Sequence, residues 1–440
     1  MTTPRTSSDP VAVATGSDDV RRFYGWRIVG VLAVTETVSW GILYYSFSVF
    51  LAPMQRDLDI STAASSGAFS VALVVMGLTA VPVGRWIDEH GARGLMTTGS
   101  VLAAVVVAAW SQVQTAGQLY AVLALLGVAA AMVLYEPAFA VVVRWFDRRR
   151  ARALLVVTLV AGFASTIFVP TAAALEHAVG WRDALLVLAG VLAVTTVVPH
   201  AVVLRRDPAD LGFAPDGGPV SGDDTRARRG HQHPGLRRTG RAMWGESRFR
   251  WMTLGFALHT LAVIAVSVHL FPFLREQGHG VAFAAGVTGS LGILSVTGRL
   301  VVTGLFARIP TAQVTAGVFA LQGVAAVVLL LRPASATAAV VFVVLFGLGF
   351  GVGTIARPAL VVEAYGVAPY ATVSALMGLA LAAAKVVGPV TAGATRTVSG
   401  SYTPALVGLA VVCALSAVAL GLASRATGHS DLQLPEEPAR

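Results

Sequence analysis

The chain has 440 residues, of which 55% are hydrophobic and only 12% charged, with a single cysteine, Cys413. A soluble globular chain carries roughly 25% charged residues, so these side chains cannot clothe a water-facing surface. One cysteine also excludes a disulfide framework or a cysteine-ligated metal centre. The net charge of +9 and pI near 10.4 would suit nucleic acid only if gathered on a soluble basic face; here the basic residues sit between long apolar runs. The composition implies a polytopic membrane protein embedded in a lipid bilayer, with no nucleic acid, cofactor or metal.

In chain order, residues 1–22 are polar and hold no short apolar core with a cleavage site, so they are expected to form a disordered tail. A membrane span needs roughly 20 mostly apolar residues. Twelve segments qualify, at about 26–52, 62–84, 94–112, 116–143, 151–178, 183–204, 249–274, 282–306, 311–331, 335–360, 371–397 and 402–425. They divide into six-helix halves over 23–204 and 249–425, separated by a Gly-, Pro-, Arg- and Asp-rich stretch, 205–248, read as a flexible linker. A second polar tail covers 426–440. The predicted fold is all-α, with two pseudo-symmetric bundles of six transmembrane helices. The halves also repeat: Glu136-Pro-Ala in the fourth span matches Arg357-Pro-Ala in the tenth at similar depth.

Charge orients the chain. Of 32 basic residues, five (Arg56, Arg182, Arg275, Arg332, Arg396) fall in loops opposite the tails and three within spans; the rest lie on the side of the tails. Basic loops stay in the cytoplasm, so both termini and the linker are expected there, in a multi-pass protein of the cell membrane. The densest cluster, Arg144 to Arg152, closes the loop after the fourth span. It reads either as a topology anchor or as part of a gate.

The loop after the second span runs Gly84-Arg-Trp-Ile-Asp88-Glu-His-Gly91-Ala-Arg93. It resembles the Gly-x-x-x-Asp-x-x-Gly-x-Arg loop of the major facilitator superfamily at every defined position. The resemblance implies a secondary transporter, a functional monomer working by alternating access about a site between the halves, with this loop as a latch at their cytoplasmic ends. The equivalent loop in the second half, Gly304-Leu-Phe-Ala-Arg308, lacks the acid. Phe23-Tyr-Gly-Trp26, Arg144-Trp-Phe146, Gly180-Trp-Arg182 and Asp207-Pro-Ala-Asp-Leu-Gly212 are similar to the monocarboxylate-porter and oxalate/formate-antiporter branch.

Ionisable groups cost at least roughly 2.5–3.5 kcal/mol at the bilayer centre, so they face the bundle interior or a wet cavity. Within the spans these are Glu36, Glu136, Arg299, Arg357 and Lys385, the last being the only lysine in the chain. The Arg299 fork suits a carboxylate, and the branch resemblance implies that Arg299 and Lys385 hold one. The bland readings are an Arg299 reaching to the interface and a Lys385 paired with a glutamate. Two departures from the branch stand out: Ser295 replaces an aspartate one turn before the arginine, and a gap-free alignment puts Tyr44 where a helix-1 lysine is expected. That leaves Glu36 and Glu136 as candidate proton carriers, or as counter-charges to Lys385 or Arg357. Tyr44, Tyr45 and Tyr135 offer hydroxyls either to a ligand or to the interface. Thr166, four residues before Pro170 as Lys385 is four before Pro389, lines the cavity or bonds its own backbone. His259 and His269 read equally as interior residues or as ligands. Arg357 is a gate candidate opposite Glu136.

No phosphate loop, zinc-protease motif or nucleophile elbow is present, so no enzyme activity is expected. The reading is a carrier of a small organic anion, a monocarboxylate, driven by protons or by exchange. Rivals are a proton-coupled exporter of drugs or natural products, disfavoured because no glycine precedes Pro170 directly, and a non-transporting receptor.

Overall fold

The computed structural model describes residues 23–217, 243–365 and 370–426. The tails expected over 1–22 and, apart from Ala426, over 426–440, and most of the linker, lie outside the described residues. Apolar runs this long can cross hydrocarbon only as helices, because every backbone N–H and C=O must find an internal partner. The transmembrane helices are α1 (Gly25–Leu58), α2 (Thr62–His90), α3 (Ala92–Trp110), α4 (Ala116–Trp145), α5 (150–179), α6 (181–203), α7 (Ser247–Glu276), α8 (Val281–Phe306), α9 (Thr311–Leu331), α10 (Ala336–Tyr365), α11 (Tyr370–Ser399) and α12 (Thr403–Arg425).

The fifth and sixth helices form one continuous apolar stretch of 52 residues, Arg152–Val203. At 1.5 Å per residue it would be roughly 78 Å long, more than twice the hydrocarbon thickness. It is folded back at Gly180, whose φ of 82° is open to glycine and strained for other residues. Gly91, with the same φ, turns α2 into α3. Hydroxyl caps start three other helices: Ser61 accepts from Ala64 N, Thr115 from Gln118 N and Ser335 from Ala338 N.

Between the halves, α2 packs on α11, α5 on α8, and the end of α1 on α7. One apolar core runs through both halves on the side away from the termini, including Phe47, Phe69, Trp110, Phe271 and Phe342. On the terminal side the core separates into two clusters, one around Trp145 and Phe146 in the first half and one around Phe249 and Phe319 in the second. The molecule is therefore closed on the far side and parted on the terminal side. Each half staples its own far rim with an ion pair, Arg182–Asp57 (2.8 Å) and Arg396–Glu276 (2.8 Å).

The beginning of the stretch read as a flexible linker folds onto the first half. Its short turns, Pro208–Leu211 and Pro215–Gly217, bring Phe213 edge-on to Phe23, which packs against Phe146. The Asp216 carboxylate accepts hydrogen bonds from the backbone N–H groups of Asp147, Arg148 and Arg149, just before α5 begins.

Candidate functional site

Four breaks in regular helix shape the space between the halves. A π-helical turn, Gly41–Tyr45, interrupts α1. α4 breaks at Leu134, which is extended (φ −83°, ψ −162°); Pro137 comes three residues later, and its missing N–H leaves the Val133 carbonyl without its helical donor. α10 breaks at the pseudo-equivalent depth, between Phe350 and Gly353. α5 tightens around Gly162.

Arg299 lies at this level on α8. Side chains lean toward the N-terminus of their helix, and α8 starts on the far side, so Arg299 points inward rather than to the terminal interface. Its Nε donates to the Ser295 carbonyl (3.2 Å), and a terminal nitrogen lies 3.5 Å from Ser295 Oγ. The guanidinium passes beside two glycines of different halves. A Cβ on Gly162 would come within 3.0 Å of it, and one on Gly351 within 2.8 Å. Tyr45 and Tyr135 are its electrostatic partners.

Lys385 is partly exposed within α11 and makes no hydrogen bond or ion pair among the described residues. Glu136 and Arg357 both act on its charge. Glu136, second residue of the restarted α4, is exposed and likewise makes no ion pair among the described residues. Glu36 is its opposite: 0% exposed, with neither carboxylate oxygen hydrogen-bonded. Glu136 is its charged neighbour, and Trp40 lies one turn along α1. Glu136 thus lies within electrostatic reach of both Lys385 and the buried Glu36.

Several residues singled out from the sequence lie at the seam between halves instead. Tyr44 OH is 3.0 Å from Ser267 Oγ on α7; Tyr45, not Tyr44, approaches Arg299. The π-helical turn explains this, since an extra residue in one turn shifts the register of the rest of the helix. Thr166 neither bonds its own backbone nor points freely into the cavity: it donates to the Gly289 carbonyl (2.7 Å) and accepts from Ile293 N (3.1 Å) on α8. His269 also joins the halves, within 3.3 Å of Ser66 on α2, while contacting Tyr402 OH and the Pro389 carbonyl. His259 is buried against Phe319, the rings 3.8 Å apart.

The loop motif is placed as a turn. Gly84 is exposed, Gly91 turns the chain, and Arg93 Nε donates to the Ala201 carbonyl (2.8 Å) within its own half. The Asp88 side chain lies outside the described residues. Arg144 occupies the last turn of α4. Residues not singled out from sequence include Thr397, whose hydroxyl accepts from Ala63 N across the far rim, and Ser70, which donates to the Val386 carbonyl. An isolated hydroxyl in an apolar span carries no signal of its partner.

Comparison with known proteins matches this architecture. The profile of the Major Facilitator Superfamily matches residues 32–389. Monocarboxylate transporter 11 of Mus musculus is 26% identical over 278 residues, covering 63% of this chain and 58% of the relative. Monocarboxylate transporter 13 of Bos taurus is 26% identical over 278 residues, covering 63% and 60%; the match thus spans less than two thirds of either relative. Among solved structures, a bacterial homolog of the human lysosomal transporter Spinster, in an inward-facing and occupied conformation, superposes with a TM-score of 0.71 at 14% identity, over 92% of this chain and 97% of that one. Twelve helices in two matched bundles, the loop at Gly84–Arg93 and the near full-length profile match agree: this multi-pass membrane protein belongs to the major facilitator superfamily, a family of transporters and not of enzymes.

Proposed function

We propose that the protein carries a small organic anion, a monocarboxylate, across the cell membrane by alternating access, as a functional monomer. The observation that carries this reading is Arg299, held in the cleft between Gly162 and Gly351 with Ser295 as its one hydrogen-bond partner among the described residues. No carboxylate among the described residues pairs with this guanidinium, and a substrate carboxylate would supply one with charge-assisted hydrogen bonds. Lys385, without an ion pair among the described residues, adds a second cation. The relatives' names, monocarboxylate transporters 11 and 13, point the same way. The basic terminal side is the cytoplasmic side by the positive-inside rule, so the parted state faces inward. Glu36, wholly buried within α1 with Glu136 as its charged neighbour, is our candidate for the coupling proton.

The test is counterflow in proteoliposomes with labelled acetate, lactate, pyruvate and benzoate. Arg299→Lys, which keeps charge but loses the fork, and Lys385→Ala should each weaken the apparent affinity of a transported acid at least about tenfold, equivalent to ~1.4 kcal/mol. Unchanged affinity in both variants overturns the anion site; binding without exchange would mark a receptor.

A further inference from the structure

Tyr45 and Tyr135, the electrostatic neighbours of Arg299, belong to a larger group of rings. Five rings on α1 and α4 form a contiguous chain: Tyr45 lies 5.1 Å from Tyr44, Tyr44 5.4 Å from Trp40, Trp40 5.0 Å from Tyr135, and Tyr135 stacks on Phe139 at 5.0 Å and 16°. Trp40, Tyr45, Tyr135 and Phe139 are partly exposed, unlike the core rings Phe47, Phe50 and Trp110, which are at most 1% exposed. This chain fills its apolar positions mainly with Ala, Val and Leu, and only 8% of its residues are aromatic, so five linked rings beside the central cations are a local concentration. Two of their polar groups are also uncommitted. The Tyr45 and Tyr135 hydroxyls make no hydrogen bond among the described residues, whereas Tyr44 OH meets Ser267 and the Trp40 indole faces Glu36. A ring ladder serving only to pack would be buried, and its polar atoms would be bonded.

We infer that the cavity is built for an aromatic monocarboxylate, its carboxylate on Arg299 and its ring against Trp40, Tyr135 and Phe139. This rests on the anion-site reading above and narrows it. A small aliphatic acid would use the cations but leave the aromatic wall without a partner. A flat arene meets these rings in offset-stacked or edge-to-face contact, which a saturated ring of similar size cannot reproduce. The expected discrimination is about three- to tenfold. The Tyr45 and Tyr135 hydroxyls are placed to add donors to the carboxylate that Arg299 holds.

Benzoate and cyclohexanecarboxylate carry the same charged group on rings of similar size, so their ratio isolates the aromatic contribution. In proteoliposome competition assays, benzoate should bind about three- to tenfold more tightly than cyclohexanecarboxylate, and more tightly still than acetate. Trp40→Leu and Tyr135→Leu should bring the ratio close to one. Arg299→Lys should weaken both acids and leave the ratio standing. If wild-type protein binds both acids equally, and both weaken in Arg299→Lys, the aromatic inference is overturned and the anion site stands. If neither acid binds to protein with an intact thermal transition, both readings fall.

Discussion

The Thr166 hydroxyl on α5 reaches both ends of one helical rung of α8, donating to the Gly289 carbonyl at 2.7 Å and accepting from Ile293 N at 3.1 Å. Ser165 donates to the same Gly289 carbonyl, and a Cβ on Gly292 would collide with the Gly162 carbonyl at 2.5 Å. The halves therefore touch backbone to backbone here, close to Arg299, which makes this contact a natural pivot. Thr166→Val keeps the shape and deletes the hydroxyl. It should cost about 1–3 kcal/mol, read as a lower melting temperature of the purified protein, with Thr166→Ser close to wild type. A Val variant that melts with wild type would show that the rung needs no hydroxyl.

The far rim is joined by hydroxyls and an imidazole: Thr397 to Ala63 N, Ser66 to His269, Tyr44 to Ser267 and Ser70 to the Val386 carbonyl. Neutral bonds of this kind contribute about 0.5–1.5 kcal/mol each, so few of them need be lost to shift the balance of states. Thr397→Val with Ser66→Ala should populate the far-open state. Spin labels at positions 56 and 398, in a Cys413→Ala background, should gain a longer distance component; an unchanged distribution would place the closing energy elsewhere.

Glu136 and Arg357 each precede a Pro-Ala pair after the breaks in α4 and α10, and Lys385 lies within the electrostatic reach of both. With the terminal side parted, Glu136 makes no ion pair among the described residues. We expect the two to meet when that side closes. Reversing either charge alone should disfavour the closed form, and Glu136→Arg with Arg357→Glu should restore it, read by spin labels at positions 89 and 308. If the double swap is no better than the worse single variant, the sites are independent and merely add.

Coupling separates from binding by assay. If Glu36 or Glu136 carries the proton, its Gln variant should still exchange substrate but lose accumulation driven by a pH gradient, because exchange needs only the loaded carrier to reorient. Normal accumulation in both Gln variants would make the carboxyls structural.

Asp216 has a left-handed backbone (φ 63°) and caps three N–H groups before α5. Asp216→Gly relieves the backbone and removes the cap, so it isolates the carboxylate. It should cost about 1–2 kcal/mol, seen as a lower melting temperature, while Asp216→Asn keeps an acceptor and most of the stability. A Gly variant as stable as wild type would show that the linker start is held by Phe213 alone.

The sequence by itself determined the class, the superfamily and the helices. In hydrocarbon the helical state is a local property, because each apolar run must satisfy its own backbone, and Gly180 marks where a 52-residue stretch must double back. The rare intramembrane charges were legible for a similar reason: a cation such as Arg299 or Lys385 is too costly in lipid to be incidental. The tertiary structure alone decided which face each residue shows. One extra residue in the Gly41–Tyr45 turn rotates the remainder of α1 by roughly 100°, so Tyr45 rather than Tyr44 meets Arg299. The partner of Thr166 on α8, the aromatic chain from Tyr45 to Phe139 and the parting on the terminal side depend on how twelve helices are rotated against one another. That rotation is set by packing between residues far apart in the chain, and no local pattern in the sequence carries it.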